Sequence, residues 1–546
     1  VIETQAACKS RRTTPASTDN VRCGFLIALS AVLFAPALRL AVEPQKPLGC
    51  AAASVAMIHQ SQASLSKHDL ATARQELDRA AQADPNCAEV FLLLGLAEFQ
   101  QGATADSIKH YKRALELKPH SYSGHYNLAL AYVREHKLQD ARIHLEAAAA
   151  LDRSQPDAAY NLGMVLLELH QPAEALAPLR RARTLNPERA DVAFNLVRAE
   201  LEAGKTTDAQ NEARDSAQRF GSDFQWAVAI GQLFLQKSQP ADAVTYFVRA
   251  SRLRPDDLDT RRQLALAYLD SARPQDVLST IPEASTAEDH FLRASAYYAL
   301  RNFSDADRES ALALDMTPDN PQILVLRTRL LQRAGEQDNA LVFAQRAISL
   351  APGWDEPYYL AGISDYFIRR YEEAEKNLGR AAELNPKSAR ALFLRAIALA
   401  NLGKIADAEQ SLRRAIALDP QNARLHCHLG ILLSRKNERA EAEAAFRKSI
   451  ALKSDYGLSH FELGKLLVGS NQFKPAADEF EQAIKHDPGL TAAYYQLGRV
   501  YARLGETEKS QTTLAEFERL HKLEEQDSSS ADKEQNEDAR QATQAP

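Results

Sequence analysis

The chain lacks the patterns on which most catalytic sites are built. It has no phosphate-cradling glycine loop, no HExxH helix, no CxxC pair and no nucleophile elbow, so nothing points to phosphoryl transfer, zinc hydrolysis, dithiol redox or acyl-transfer chemistry. It has no basic excess either: a formal net charge of -6 gives no field to attract a polyanion, which argues against nucleic acid as a partner. No stretch alternates apolar and polar residues as a half-buried strand would, and Gly is scarce beside Ala, Leu, Arg and Glu, a balance that suits an all-helical chain. The apolar run from Gly24 to Leu38 falls short of the roughly 20 residues a membrane-spanning helix needs.

What the chain has instead is a period of 34 residues, running from Ser54 to Lys522. Pro85 and Pro119 stand 34 apart, Pro187, Pro255, Pro352, Pro386, Pro420 and Pro488 fall on the same grid, and Pro318 rejoins it after a deletion of five. Counted from three residues after each proline, the eighth place is Gly at Gly95, Gly163, Gly231, Gly362, Gly430, Gly464 and Gly498, and the twentieth and twenty-seventh are almost always Ala. One unit, Asp355 to Ser388, reads as an amphipathic stretch from Tyr358, a break at Arg369 and Arg370, and a second stretch to Leu384. That is a helical hairpin. Where two helices cross closely only Gly or Ala fits, and a closing proline ends the second helix.

Units such as AAYNLGMVLLELHQPAEALAPLRRARTLNP (Ala158 to Pro187) and ARALFLRAIALANLGKIADAEQSLRRAIALDP (Ala389 to Pro420) resemble the tetratricopeptide repeat family. The resemblance implies an all-α, right-handed superhelical solenoid of about 14 helix-turn-helix repeats. It also implies a concave face lined by the second, fifth, sixth, ninth, twelfth and thirteenth places of each first helix. The expected organisation is an export signal or membrane anchor over 1–37, a linker over 38–53, repeats 1–6 over 54–257, a shortened repeat 7 over 258–286, repeats 8–14 over 287–524, and a disordered acidic tail over 525–546. The export reading rests on Lys9, Arg11, Arg12 and Arg22 before the apolar run and on Ala35-Pro36-Ala37 after it, which places the mature chain outside the cytoplasm, starting near Leu38. If the segment stays uncleaved, it is the chain's only expected contact with a membrane.

Within the array the expected partner is a protein or peptide, with no cofactor and no metal. Asn127, Asn161 and Asn195 hold the sixth place of three consecutive repeats, where amides in a row could grip an extended peptide backbone. Long members of the family carry similar asparagine ladders. Farther on, Tyr359, Tyr366 and Phe393 face the expected groove, Arg329 and Arg333 lie one turn apart, and Arg390 joins them, a set that could clamp a carboxylate between aromatic contacts. The family's own carboxylate-clamp pattern of lysine and asparagine is not matched. His426 and His428 point roughly 200° apart on a helix and cannot share an ion, which leaves His426 and His460, one repeat apart, as the nearest metal-like grouping.

Cys50 and Cys87 bracket the first hairpin, whose antiparallel course brings them together as a possible disulfide. The 29-residue unit from Leu258 to Thr286, with Pro274 expected in its inter-helix turn and Pro282 cutting its second helix, is the expected weak point and a candidate hinge. The reading that follows is a non-enzymatic scaffold holding extended peptides on its inner face. The alternative is a structural subunit of an envelope export or assembly complex of polysaccharide or pilus type.

Overall fold

A computed structural model describes residues 50–526. The expected export segment and most of the linker precede them, and 527–546 follow, outside the described residues. Among the described residues there are 28 helices and no strand, and the helices pair as 14 hairpins. Seven hairpins, from Ala52–Ser66 to Pro274–Thr280, belong to one compact unit, and seven, from Ala287–Ala299 to Thr507–Gln526, to a second that opens at Ile281. Each unit is an all-α helical repeat solenoid. No described helix is long and apolar enough to cross a membrane. The last helix runs to Gln526, so 525 and 526 are helical rather than part of the expected tail.

Each hairpin turns at its fifteenth place, where the backbone is left-handed. Five of these residues are Gly, at φ from 73° to 85°, and nine are not, with φ from 54° to 63°. The turn closes as a helix C-cap does: Lys137 N–H reaches Tyr132 O at 2.9 Å, and Gln171 N–H reaches Leu166 O at 2.8 Å, which satisfies carbonyls the ending helix would strand. At the other end of the repeat, a donor at the fourth place caps the carbonyl of the closing proline. His125 Nε2 lies 3.0 Å from Pro119 O, Arg261 Nη2 2.8 Å from Pro255 O, and His426 Nε2 3.1 Å from Pro420 O.

The small eighth place has a specific cause. A Cβ added to Gly95 would lie 2.6 Å from the Tyr111 ring, at Gly163 2.4 Å from Leu179, and at Gly430 2.5 Å from the Phe446 ring. In each case the obstacle is the twenty-fourth residue of the same hairpin. At three crossings a larger eighth residue goes with a smaller twenty-fourth, Val197 with Ala213, Thr328 with Ala344 and Ala294 with Ser310, all fully buried, while the small Ser61, Ala129 and Ala396 face Leu77, Leu145 and Leu412. Filling this crossing to interior density is what fixes the pairing of the two helices.

The first hairpin is closed by a disulfide between Cys50 and Cys87, and Asp84 Oδ2 accepts the Ala51 N–H beside it at 2.7 Å. Cys427 is buried and free. In the shortened repeat the second helix is only the 7 residues Pro274–Thr280, and Pro274 is its first residue rather than part of the turn. That is where a proline costs least, because the N–H it lacks would have no helical acceptor.

Candidate functional site

The asparagine ladder is structural. Asn127, Asn161 and Asn195 are all buried. Asn161 Nδ2 donates to Tyr126 Oη at 2.8 Å, and Asn195 Nδ2 donates to Tyr160 Oη at 3.1 Å and to Asp191 O at 2.9 Å. The sixth place therefore points between neighbouring first helices, at the fifth-place tyrosine of the preceding repeat, and not into open groove. An amide sealed there has to find its partner inside the protein, since leaving it unpaired would cost about 1–3 kcal/mol.

The expected arginine clamp is also rearranged. Arg329 Nη2 donates to Glu356 Oε1 at 2.7 Å, and Arg390 donates to the other oxygen of the same carboxylate. Glu356 is buried at 2% exposure, so the acid these guanidiniums hold belongs to the chain itself. Burial alone would raise the Glu356 carboxyl, but Arg329 and Arg390 outweigh it and hold the group below the ordinary carboxylate range. Arg390 also lies over the ring of Tyr359, 4.3 Å from its centroid. Arg333 takes no part: it is exposed and stacks on Phe303 at 4.0 Å. Tyr359 is buried beneath this cluster, so of the residues expected to meet a peptide only Tyr366 remains half-exposed in a groove.

The histidines are committed as well. His460 Nε2 lies 3.0 Å from Ser454 O and Nδ1 lies 2.7 Å from Glu479 Oε2. Both ring nitrogens thus face acceptors, which suits the protonated ring: burial lowers its pKa, but Glu479 and the Ser454 carbonyl raise it further, to a net upward shift. His426 spends Nε2 on Pro420 O. The described residues that come together as a cluster of metal-ligating types are Cys50, Asp84 and Cys87, and the disulfide removes both thiolates.

Open space does exist, along the first helices of the C-terminal unit. A groove of about 670 Å³ runs from Tyr366 past Phe393, Ile397, Ile431 and Phe461 to Ala492, bordered by Asn401, His428, Arg435 and Glu462. Many of its liners occupy the second, fifth, sixth, ninth, twelfth and thirteenth places of successive repeats, and Tyr366 and Phe393 of the residues expected in the groove are among them, whereas Tyr359, Arg329, Arg333 and Arg390 are not. His428 meets Phe393 edge-on, with ring centroids 5.0 Å apart. The signal in the sequence was the ninth place, isoleucine in two consecutive repeats at Ile397 and Ile431, whereas Ile363 one repeat earlier is fully buried.

A uniform hairpin stacked to leave one helix-lined groove defines a helical-repeat scaffold. A model described as tetratricopeptide repeat matches residues 126–190, 160–223, 194–257, 359–423, 396–457 and 461–510, and one described as TPR repeat matches 95–135. The chain belongs to the tetratricopeptide repeat family, whose members are in general non-enzymatic scaffolds for protein–protein interaction. It is similar to protein O-mannosyl-transferase TMTC3 of Homo sapiens, 26% identical over 182 residues, 30% of this chain and 20% of that protein. This chain thus spans about a fifth of the length of that relative. Among solved structures, a chain of the APC/C hetero-tetramer Cut9-Hcn1 is 14% identical with a TM-score of 0.41, covering 82% of this chain and 96% of that one. Yeast Tom70 is 17% identical with a TM-score of 0.33 over the same shares, 82% and 96%.

Proposed function

We propose that this chain is a non-enzymatic scaffold whose C-terminal unit holds an extended segment of a partner protein in the groove between Tyr366 and Ala492. The observation that carries this is the groove itself: half-exposed Tyr366, Ile397 and Ile431 form an apolar floor with polar borders, the usual composition of a site that takes side chains from a ligand. Placing a photo-crosslinking residue at Ile431 and, separately, at exposed Val342 on a second helix tests it in the native compartment. Partner adducts should form from Ile431 and not from Val342, and the reverse pattern would overturn the reading.

Export belongs to the same proposal. The Cys50–Cys87 bridge supports it, because disulfides persist in oxidising compartments. Sequencing the native N-terminus should give a start near Leu38. An intact leader on a chain kept in a reducing compartment would end that part of the proposal.

A further inference from the structure

The third hairpin, built from Tyr122–Arg134 and Leu138–Leu151, holds two histidines whose ring nitrogens meet. His125 Nδ1 lies 2.9 Å from His144 Nδ1, and both residues are half-buried. We propose that these two imidazoles, with Asp140 as a third ligand, bind a divalent transition-metal ion such as Zn2+ and tie the two helices of this hairpin together.

The same two places in other repeats show what is unusual here. His125 stands at the fourth place and His144 at the twenty-third. At those places His290 Nδ1 meets Glu309 Oε2 at 2.6 Å and His460 Nδ1 meets Glu479 Oε2 at 2.7 Å, so each of those histidines has a carboxylate to accept its N–H. Opposite His426 the twenty-third place is Ala445, which has no ligand atom. In the third hairpin a second imidazole stands where the carboxylate would, and among the described residues no carboxylate hydrogen-bonds to either ring.

The placement of protons makes the pair a ligand set. His125 Nε2 lies 3.0 Å from Pro119 O, and a carbonyl only accepts, so Nε2 carries the proton and the lone pair of the neutral ring is on Nδ1. Metal-binding histidines are held in this way, with the far N–H given to a carbonyl or carboxylate that fixes the tautomer. The proton between the two Nδ1 atoms therefore belongs to His144. A metal ion takes its place: His144 releases that proton from Nδ1 and takes one up on Nε2, so both Nδ1 lone pairs meet the ion and no net proton is lost. Two nitrogens at about 2.0–2.1 Å from a tetrahedral Zn2+ stand about 3.3 Å apart, so the rings need to part by about 0.4 Å.

Beside His125, the charged groups that act on His144 are Asp140 and Lys112, one of each sign. Lys112 lies over the Tyr132 ring, 5.8 Å from its centroid. Asp140 stands one turn before His144 on the same helix face. It is exposed and in no ion pair among the described residues, so a rotation of its side chain supplies the third ligand and water takes the fourth position. Two imidazoles and one carboxylate select Zn2+ or Cu2+ over Mg2+ and Ca2+, which take oxygen ligands.

Titration calorimetry with Zn2+ at pH 7 tests this on the full chain, free of any histidine tag and unreduced so that Cys50 and Cys87 offer no thiolate. The parent should bind one ion saturably and melt later with Zn2+ than without it. His144→Gln keeps a donor for His125 Nδ1 and should lose more than the about 10–100-fold in affinity that removing a ligand's supporting partner costs. Should that variant lose helicity, His125→Gln, which keeps a donor for Pro119 O, should show the same loss. Glu479→His should add a second, weaker site, because Pro475 stands there in the place of Asp140. With Cu2+ in place of Zn2+, pulsed electron paramagnetic resonance should count two imidazoles on the ion. A parent that binds no Zn2+ saturably, binding that survives both histidine changes, or a single imidazole on Cu2+ would each overturn the proposal.

Discussion

Glu356→Gln keeps the shape of a buried side chain and removes the negative charge between Arg329 and Arg390. Breaking a buried ion pair from one side costs about 3–5 kcal/mol, because a charge is left without compensation. Here both guanidiniums keep access to water, at 35% and 34% exposure, so part of that loss is recovered and about 2 kcal/mol is expected. For a unit of this size that corresponds to a fall of about 4–8 °C in its melting transition, read by circular dichroism at pH 7. Changing Arg329, Glu356 and Arg390 together to Met should be close to neutral, since it leaves no charge stranded. The sign of the pH dependence follows from the depressed Glu356 carboxyl. Its contribution is whole above the unfolded value of about 4.3 and is lost as pH falls through the lower folded value, so parent and variant should converge in acid. A Gln variant that melts with the parent at pH 7 would refute the account.

Asn195→Ala should cost about 1 kcal/mol of stability for the hydrogen bond to Tyr160, with unchanged crosslinking from Ile431; stability measured by denaturant titration checks the first and adduct yield the second. Thiol titration of the unreduced mature chain should find no reactive thiol while it is folded and one, Cys427, after unfolding; reducing the bridge should cost the N-terminal unit about 4 kcal/mol in the chain-entropy model. Amide exchange from Gln275 to Ile281 should be faster than in Pro240–Leu253, because a 7-residue helix covers less of its neighbours; equal protection would reject a weak point there. His460→Gln should lower stability most at acid pH, since the raised folded pKa gives a contribution that is full below the unfolded value of about 6.5 and lost as pH rises through the folded one. A pH-independent difference in melting would contradict this.

The hairpins were legible because their cause is local and repeated. Gly95, Gly163 and Gly430 each answer a bulky residue in the same hairpin, a one-dimensional pattern that periodicity exposes. The side chains at Asn161 and Arg329 were misread because their partners come from other repeats: Tyr126 stands 35 residues before Asn161, and Glu356 stands 27 after Arg329. Register gives the helix on which a side chain sits, but whether it faces the groove or the adjoining helix depends on a few degrees of rotation that register does not fix. The apolar floor at Ile397 and Ile431 was readable by the same rule, and looked like ordinary core.

The size-matched eighth and twenty-fourth places also govern how such a chain can change length. Both members of each pair lie inside one repeat, so a duplication or loss of a whole repeat carries a matched pair with it and leaves every other crossing as it was. A genetic exchange between the two places would join, for example, Val197 to a partner as large as Phe446, and an overfilled crossing costs about 1–3 kcal/mol or more. Joints that fall in the proline turns therefore leave these crossings intact, and joints within a hairpin are penalised. Growth by whole units is the path this packing leaves open.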